Sequence, residues 1–206
     1  LHAKAEDIRK FESAYQKGWD VIRQERYQRQ LKSGIIDKAT ALSPRDSPVR
    51  AWKDLGGTEK KDAAYRMAVY AAQVSCIDQN IGKLITSLEK QGQFDNTLII
   101  FLSDNGACAE PYKELGGGTM ADINNAAKSS AISYGVGWAN ASNTPFRKWK
   151  REMEEGGIST PLIMHWPRGI KKQQHNKIIH TPSYLIDIMP TFLATADAKY
   201  PAQYRP

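Results

Sequence analysis

The stretch Asp95-Asn-Thr-Leu-Ile-Ile-Phe-Leu-Ser-Asp-Asn-Gly106 decides the fold class. Thr97 to Leu102 is a continuous apolar run, and a short run apolar on both faces is the pattern of a central strand in a parallel sheet. The longest helical pattern precedes it, at 61–91. There Tyr65, Met67, Ala68, Ala71, Ala72, Val74, Ile77, Ile81, Leu84, Ile85 and Leu88 recur at three- and four-residue steps. Gly92 stands where a helix-ending glycine belongs. Helix, tight turn and buried strand make half of a βαβ unit. The spacing therefore predicts an α/β fold with a mostly parallel sheet flanked by helices.

Outward from that core, residues 2–35 are charged and helix-prone, with Ile8, Phe11, Tyr15, Trp19 and Ile22 as apolar positions and Gly34 as the stop. Residues 36–60 contain Pro44, Pro48 and Gly56-Gly57 and read as a connecting loop with one helical turn near Trp52. Residues 107–145 are rich in Gly, Ser and Asn and read as a long loop, which in a compact protein is usually functional or mobile. A second strand is predicted at Thr160–His165 and a helix at Ser183–Ala196. Residues 1–196 read as one patterned piece, and 197–206 as a loop-like tail.

The chain has 206 residues, with 29 Lys plus Arg against 22 Asp plus Glu, a formal net charge of +7. No apolar run is long enough to span a bilayer. Five Trp, nine Tyr and five Phe supply a core, which argues against wholesale disorder. Two Cys exclude a disulfide scaffold and a Cys-rich zinc module. The basic residues are dispersed and no nucleic-acid-binding motif accompanies them, so nucleic acid is not an expected partner. There is no Gly-x-Ser-x-Gly elbow and no Gly-rich phosphate loop. The chain opens on Leu1 without a signal-like segment and closes in a loop-like tail, which reads as a piece of a longer protein.

Two groups stand out as chemistry. Asp104 and Asn105 lie immediately past the strand, where ligands bind in open α/β sheets. Side-chain oxygens suit hard cations such as Ca2+ and Mg2+, and the same tripeptide is also common turn chemistry. Arg147, Lys148, Lys150 and Arg151 cluster ahead of Gly156-Gly157. They form either an anion site or a solvated charged face. The glycine pair implies either a close backbone approach or a tight turn. His2, His165, His175 and His180 have no metal-binding spacing. Cys76 falls in the helical pattern and Cys108 near the Asp-Asn-Gly turn, with nothing nearby in sequence to activate either thiol.

In order and spacing these segments resemble the sulfatase family, arylsulfatases of the alkaline-phosphatase-like superfamily, over nearly the whole chain. Leu1-His-Ala3 is similar to the end of the family's Pro-His-Trp-Pro-Leu-His-Ala segment. Ala68-Val-Tyr-Ala-Ala-Gln73 and Asp78-Gln-Asn-Ile-Gly82 resemble its long helix, and Asp95–Gly106 its strand and metal turn. Tyr134–Arg147 resembles the arylsulfatase loop. Glu155-Gly-Gly-Ile-Ser-Thr-Pro-Leu-Ile163, His165-Trp-Pro167 and Asp187-Ile-Met-Pro-Thr191 resemble later elements.

The resemblance implies that residues 1–196 are the C-terminal half of the catalytic domain and 197–206 the start of the connection to a truncated C-terminal subdomain, and that Asp104 and Asn105 are ligands of one calcium ion shared with residues outside this segment. It implies that Lys150 contacts the substrate sulfate as a catalytic and substrate-binding residue. It also implies a formylglycine nucleophile, made from a Cys/Ser-x-Pro-x-Arg motif. Neither Cys76 nor Cys108 stands in such a motif, so the nucleophile is expected outside this segment and the segment alone is expected to be inactive. Val136 and Glu154 depart from residues frequent in the family. The implied substrate is a sulfated small molecule or carbohydrate, and the implied location periplasmic, secreted or lysosome-like, with no membrane span. Two alternatives stay open: a phosphodiesterase or phosphonate hydrolase of the same superfamily, and a non-catalytic sulfatase-like protein that binds polyanions.

Overall fold

The charged N-terminal segment forms two helices, α1 (Ala5–Arg9) and α2 (Gly18–Ser33), with Gly34 ending the second. The loop read at 36–60 holds a single 3-10 turn, Trp52–Asp54, where one helical turn is predicted. The long pattern becomes α3 (Gly57–Lys90). Glu59 reaches back to accept the Gly56 N–H at 2.8 Å and so satisfies an orphan donor at the helix start. The computed structural model describes residues 1–125, 127–128, 132–201 and 203. These fall into two compact units, Leu1–His175 and Asn176–Pro206. Parts of the predicted 107–145 loop (126, 129–131) and of the predicted connecting tail (202, 204–206) lie outside the described residues.

The apolar run forms β1 (Ile99–Leu102). The rest of the first unit is α4 (Gly135–Ser142), the short α5 (Glu155–Ile158) and β2 (Leu162–His165). In the second unit Asp187 Oδ2 accepts the Tyr184 N–H at 2.8 Å, and α6 (Ile188–Thr195) follows.

The predicted parallel sheet is not what the described residues form. β1 and β2 pair antiparallel, with Ile99 opposite His165 and Leu102 opposite Leu162. The reason lies in the connection. A parallel pair needs a crossover that carries the chain back to the start of the first strand. Here Gly106 N–H donates to Gly157 O at 2.8 Å, and Thr160 Oγ1–H donates to Ser103 O at 2.7 Å. The segment leaving β1 and the segment entering β2 are thereby held side by side at one end, and β2 must run back along β1. The all-apolar run is not buried on both faces within this chain either. Phe101 is 49% exposed and Ile163 61%.

The core of the first unit is aromatic. Trp19, Trp52 and Trp138 are all buried, and Tyr15 joins them. Trp138 meets Tyr15, Trp19 and Trp52 at ring separations of 5.4, 5.7 and 5.8 Å. Its indole N–H donates to Ala63 O on α3 at 2.8 Å, so a large apolar ring is buried with its one polar atom satisfied. Trp138 sits on α4, inside the stretch predicted as loop. That prediction fails because α4 is buried on every side, so its sequence shows no polar face for a 3.6-residue period to reveal. Truncating Trp138 to Ala should lower stability by about 3–5 kcal/mol. Urea unfolding reads this as a fall in midpoint at unchanged slope.

α3 is used in two ways. Its N-terminal half buries Ala63, Ala64, Ala68, Val69, Ala71 and Ala72. Beyond that, the same stripe continues through Val74, Ile77 and Leu84, which are about half exposed. The stripe was legible; where its cover ends was not.

Candidate functional site

The Asp104–Gly106 turn and the basic loop meet through their backbones. Lys150 N–H donates to Ala107 O at 3.0 Å, and Gly156 N–H donates to Arg147 O at 2.9 Å. Asn143, at the end of α4, clamps both strands of chain: its Oδ1 accepts the Ala107 N–H at 3.0 Å and its Nδ2 donates to Lys148 O at 2.9 Å. A Cβ on Gly156 would intrude on the carbonyl oxygens of Arg147 and Lys148, and one on Gly106 would intrude on the carbonyl of Gly156. Of the two readings of the Gly156-Gly157 pair, the close approach is the one realised.

Asp104 is exposed and, among the described residues, has no ion pair. Asn105 is half-buried, and its Nδ2 donates to Gly106 O at 2.8 Å. Together they offer at most three side-chain oxygens of the kind calcium takes, against the six to eight it needs. Among the described residues no group of three or more His, Cys, Asp and Glu side chains could hold a metal ion. The donor chemistry fits a partial calcium shell and not a complete one.

The basic cluster divides. Lys148 lies over the Trp149 ring at 5.8 Å, and Arg147 Nε stands 3.5 Å from Asp46 Oδ1. Lys150 and Arg151 converge on Glu110: Lys150 Nζ is 3.4 Å from Oε2 and an Arg151 terminal nitrogen is 2.6 Å from Oε1. The Arg151 guanidinium also covers the Tyr112 ring at 5.3 Å. The sulfur of Cys108 and then the carboxylate of Glu110 hold the Lys150 ammonium above its ordinary pKa. The Cys108 thiol, donating to Glu110 at 3.5 Å, and the two cations hold the Glu110 carboxyl below its ordinary value. Lys150 is thus a charged group about a third exposed, tethered at its backbone and facing one carboxylate.

Sequence reading did not single out Glu110 or Asp46. Each acts across a long sequence separation, 40 residues from Glu110 to Lys150 and 102 from Asp46 to Lys148, which no local pattern reveals. The histidines stay structural or exposed: His165 stacks on Phe94 at 4.8 Å, and the His175 ring meets Ile170 O at 2.9 Å. Cys76 is half-buried on α3 rather than enclosed. Val136 is buried in the aromatic core, and Glu154 stands at the N-cap position of the short α5 without a side-chain capping bond.

Comparison with known proteins decides the family. A family model described as Sulfatase matches residues 4–198. The chain belongs to the sulfatase family. An uncharacterized sulfatase of Schizosaccharomyces pombe is 34% identical over 98% of the sulfatase chain and 38% of its own length. An arylsulfatase of Klebsiella aerogenes is 34% identical over 93% of the chain and 42% of its own length. The human N-acetylgalactosamine-6-sulfatase is 28% identical over 79% of the chain and 25% of its own length. The chain therefore spans about two fifths of the first two relatives, 38% and 42%. The family implies an alkaline-phosphatase-like α/β fold. In this sulfatase chain, among the described residues, that fold is represented by helices and one antiparallel strand pair.

Proposed function

We propose that this chain is part of a sulfatase that hydrolyses sulfate esters, with Asp104 and Asn105 as calcium ligands and Lys150 as the sulfate contact. The observation that supports this reading is the Lys150 N–H to Ala107 O hydrogen bond of 3.0 Å, which ties the basic loop to the residue just after the Asp-Asn-Gly turn. Two candidate groups that lie 45 residues apart thereby belong to one end of β1. The remainder of the enzyme supplies the other calcium ligands and the formylglycine, and covers the exposed apolar faces of α3 and the sheet. The chain alone is inactive on this reading.

Bound calcium would supply fixed positive charge for sulfuryl oxygens. The residues of this chain do the rest. Asp104 and Asn105 present oxygens outward from a turn whose backbone is pinned at Gly106. Lys150 places a compact positive charge where negative charge builds on the ester oxygens during attack at sulfur, a contact that gains strength in the transition state. Glu110 faces the Lys150 ammonium at 3.4 Å and holds it in place until an anion arrives. The substrate is proposed as a sulfated small molecule or carbohydrate. An exported or lysosome-like location accompanies that reading; no described helix is long and apolar enough to cross a membrane.

The test uses the full-length enzyme. Wild type is expected to carry one calcium per chain by metal analysis and to cleave an aryl sulfate in preference to a phosphate diester. Asp104→Ala should lose the metal and shift the melting curve of the calcium-loaded protein to that of the chelator-treated one. Retained calcium in Asp104→Ala would remove the metal assignment, and faster diester turnover would move the protein to the phosphodiesterase reading.

A further inference from the structure

We propose that Asp46 is the positioning residue for Lys150, an assignment that rests on reading Lys150 as the sulfate contact. Asp46 lies in the Pro-rich connection between α2 and α3, yet its side chain is fully buried. Its Oδ2 accepts two hydrogen bonds, from the Lys148 backbone N–H and from Asn140 Nδ2, both at 2.8 Å. Among the described residues its Oδ1 makes no hydrogen bond, and it stands 3.5 Å from Arg147 Nε. One carboxylate thus joins α4, through Asn140, to the two residues that open the basic loop.

That loop needs an outside anchor. Lys148 has φ +65° and Arg151 φ +77°, left-handed conformations that side-chain-bearing residues adopt at a cost. Lys150 lies between them, so its direction depends on both neighbours staying in that conformation. Inside the loop Glu152 N–H donates to Trp149 O at 3.0 Å and Gly156 N–H to Arg147 O at 2.9 Å; Ala107 holds the Lys150 amide and Asn143 the Lys148 carbonyl, and the bond that fixes the Lys148 amide comes from Asp46. An isolated buried carboxylate is costly unless it is hydrogen-bonded and paired. Here the burial is offset by a backbone N–H, an amide and a guanidinium, all belonging to α4 or to the basic loop. Asp46 touches neither Lys150 nor the Asp104 turn, so it acts through the loop backbone.

The test is a double-mutant cycle on the full-length enzyme, with an aryl sulfate as probe and the melting temperature of every variant recorded. Asp46→Ala should lower kcat/KM by about 10- to 100-fold when Lys150 is present, because a misplacement of about 1 Å is enough for such a loss. In a Lys150→Ala background the same change should cost less than about threefold, since there is no ammonium left to place. Asp46→Asn, which keeps an oxygen for the Lys148 N–H, should recover most of the loss. Should Asp46→Ala fail to fold, Asp46→Ser carries the same comparison. Equal losses in both backgrounds would make Asp46 purely structural and overturn the proposal while leaving Lys150 in its role. A Lys150→Ala enzyme as active as wild type would overturn both assignments together.

Discussion

Lys150→Ala should lower kcat/KM for a sulfate ester by about 10²- to 10³-fold in the full-length enzyme, the loss typical of removing one preorganised donor aimed at developing negative charge. The loss should fall on kcat more than on KM, because the contact strengthens as charge builds on the sulfuryl oxygens. The charge state of Lys150 sharpens the expectation. Cys108 and Glu110 hold its pKa above the ordinary 10.5, and Glu110 is held below the ordinary 4.5 by Cys108, Lys150 and Arg151. A raised lysine pKa keeps the ammonium present at every pH below it, and a lowered carboxyl pKa keeps the carboxylate present at every pH above it. Between those limits neither group titrates. The ratio of wild-type to Lys150→Ala kcat/KM should therefore be flat from about pH 5 to 10, whatever limb other residues give the profile. Lys150→Arg should not restore full activity, since a planar fork does not reproduce a point charge in a place already shared with Arg151. A loss below threefold, or a ratio that changes tenfold across that range, would remove Lys150 from the sulfate site.

What the sequence made legible is what depends on local pattern. The apolar stripe of α3 is periodic from Tyr65 to Leu88, so its existence and its ending near Gly92 could be read directly. The 3-10 turn at Trp52 and the strands at 99–102 and 162–165 followed from short-range composition. Strand direction did not, because it is set by where residues 106 and 157 meet, a contact 51 residues long in sequence. α4 escaped because Gly135-Val-Gly-Trp-Ala-Asn-Ala-Ser142 has two glycines and no polar stripe, and its helix is selected by packing around Trp138 rather than by propensity. For the site, the family resemblance singles out Asp104, Asn105 and Lys150, and their roles are those proposed above. The groups that hold them, Asn143, Glu110 and Asp46, are ordinary polar residues until the fold brings them to Ala107, Lys150 and Lys148. A supporting shell is made of tertiary hydrogen bonds, and tertiary hydrogen bonds leave no periodic trace.

The junction between turn and loop gives the second large effect. Gly106→Ala should abolish at least about 99% of the activity, because its methyl group has no room. An added Cβ would fall within the carbonyl oxygen of Gly156 and lie 2.8 Å from that carbonyl carbon and 3.0 Å from Gly157 Cα. These are backbone atoms, not the end of a flexible side chain. Gly156 is itself held in place by its N–H bond to Arg147 O at 2.9 Å, on a side where even a Cβ would overlap the carbonyl oxygens of Arg147 and Lys148. The strain must therefore open the Gly106 N–H to Gly157 O hydrogen bond of 2.8 Å and separate the Asp104–Asn105 turn from the loop that carries Lys150. Overpacking of this kind costs about 1–3 kcal/mol in stability, so the melting temperature should fall along with activity. Calcium content should fall too if the turn is displaced, which distinguishes a moved site from a merely loosened protein. Gly57→Ala, at the start of α3 with nothing within 4 Å of the new methyl group, is the control and should leave both activity and melting temperature within error or slightly raise the latter. If Gly106→Ala matched that control, the turn and the basic loop would not be joined at Gly106, and Asp104 and Lys150 would have to be assigned to separate sites.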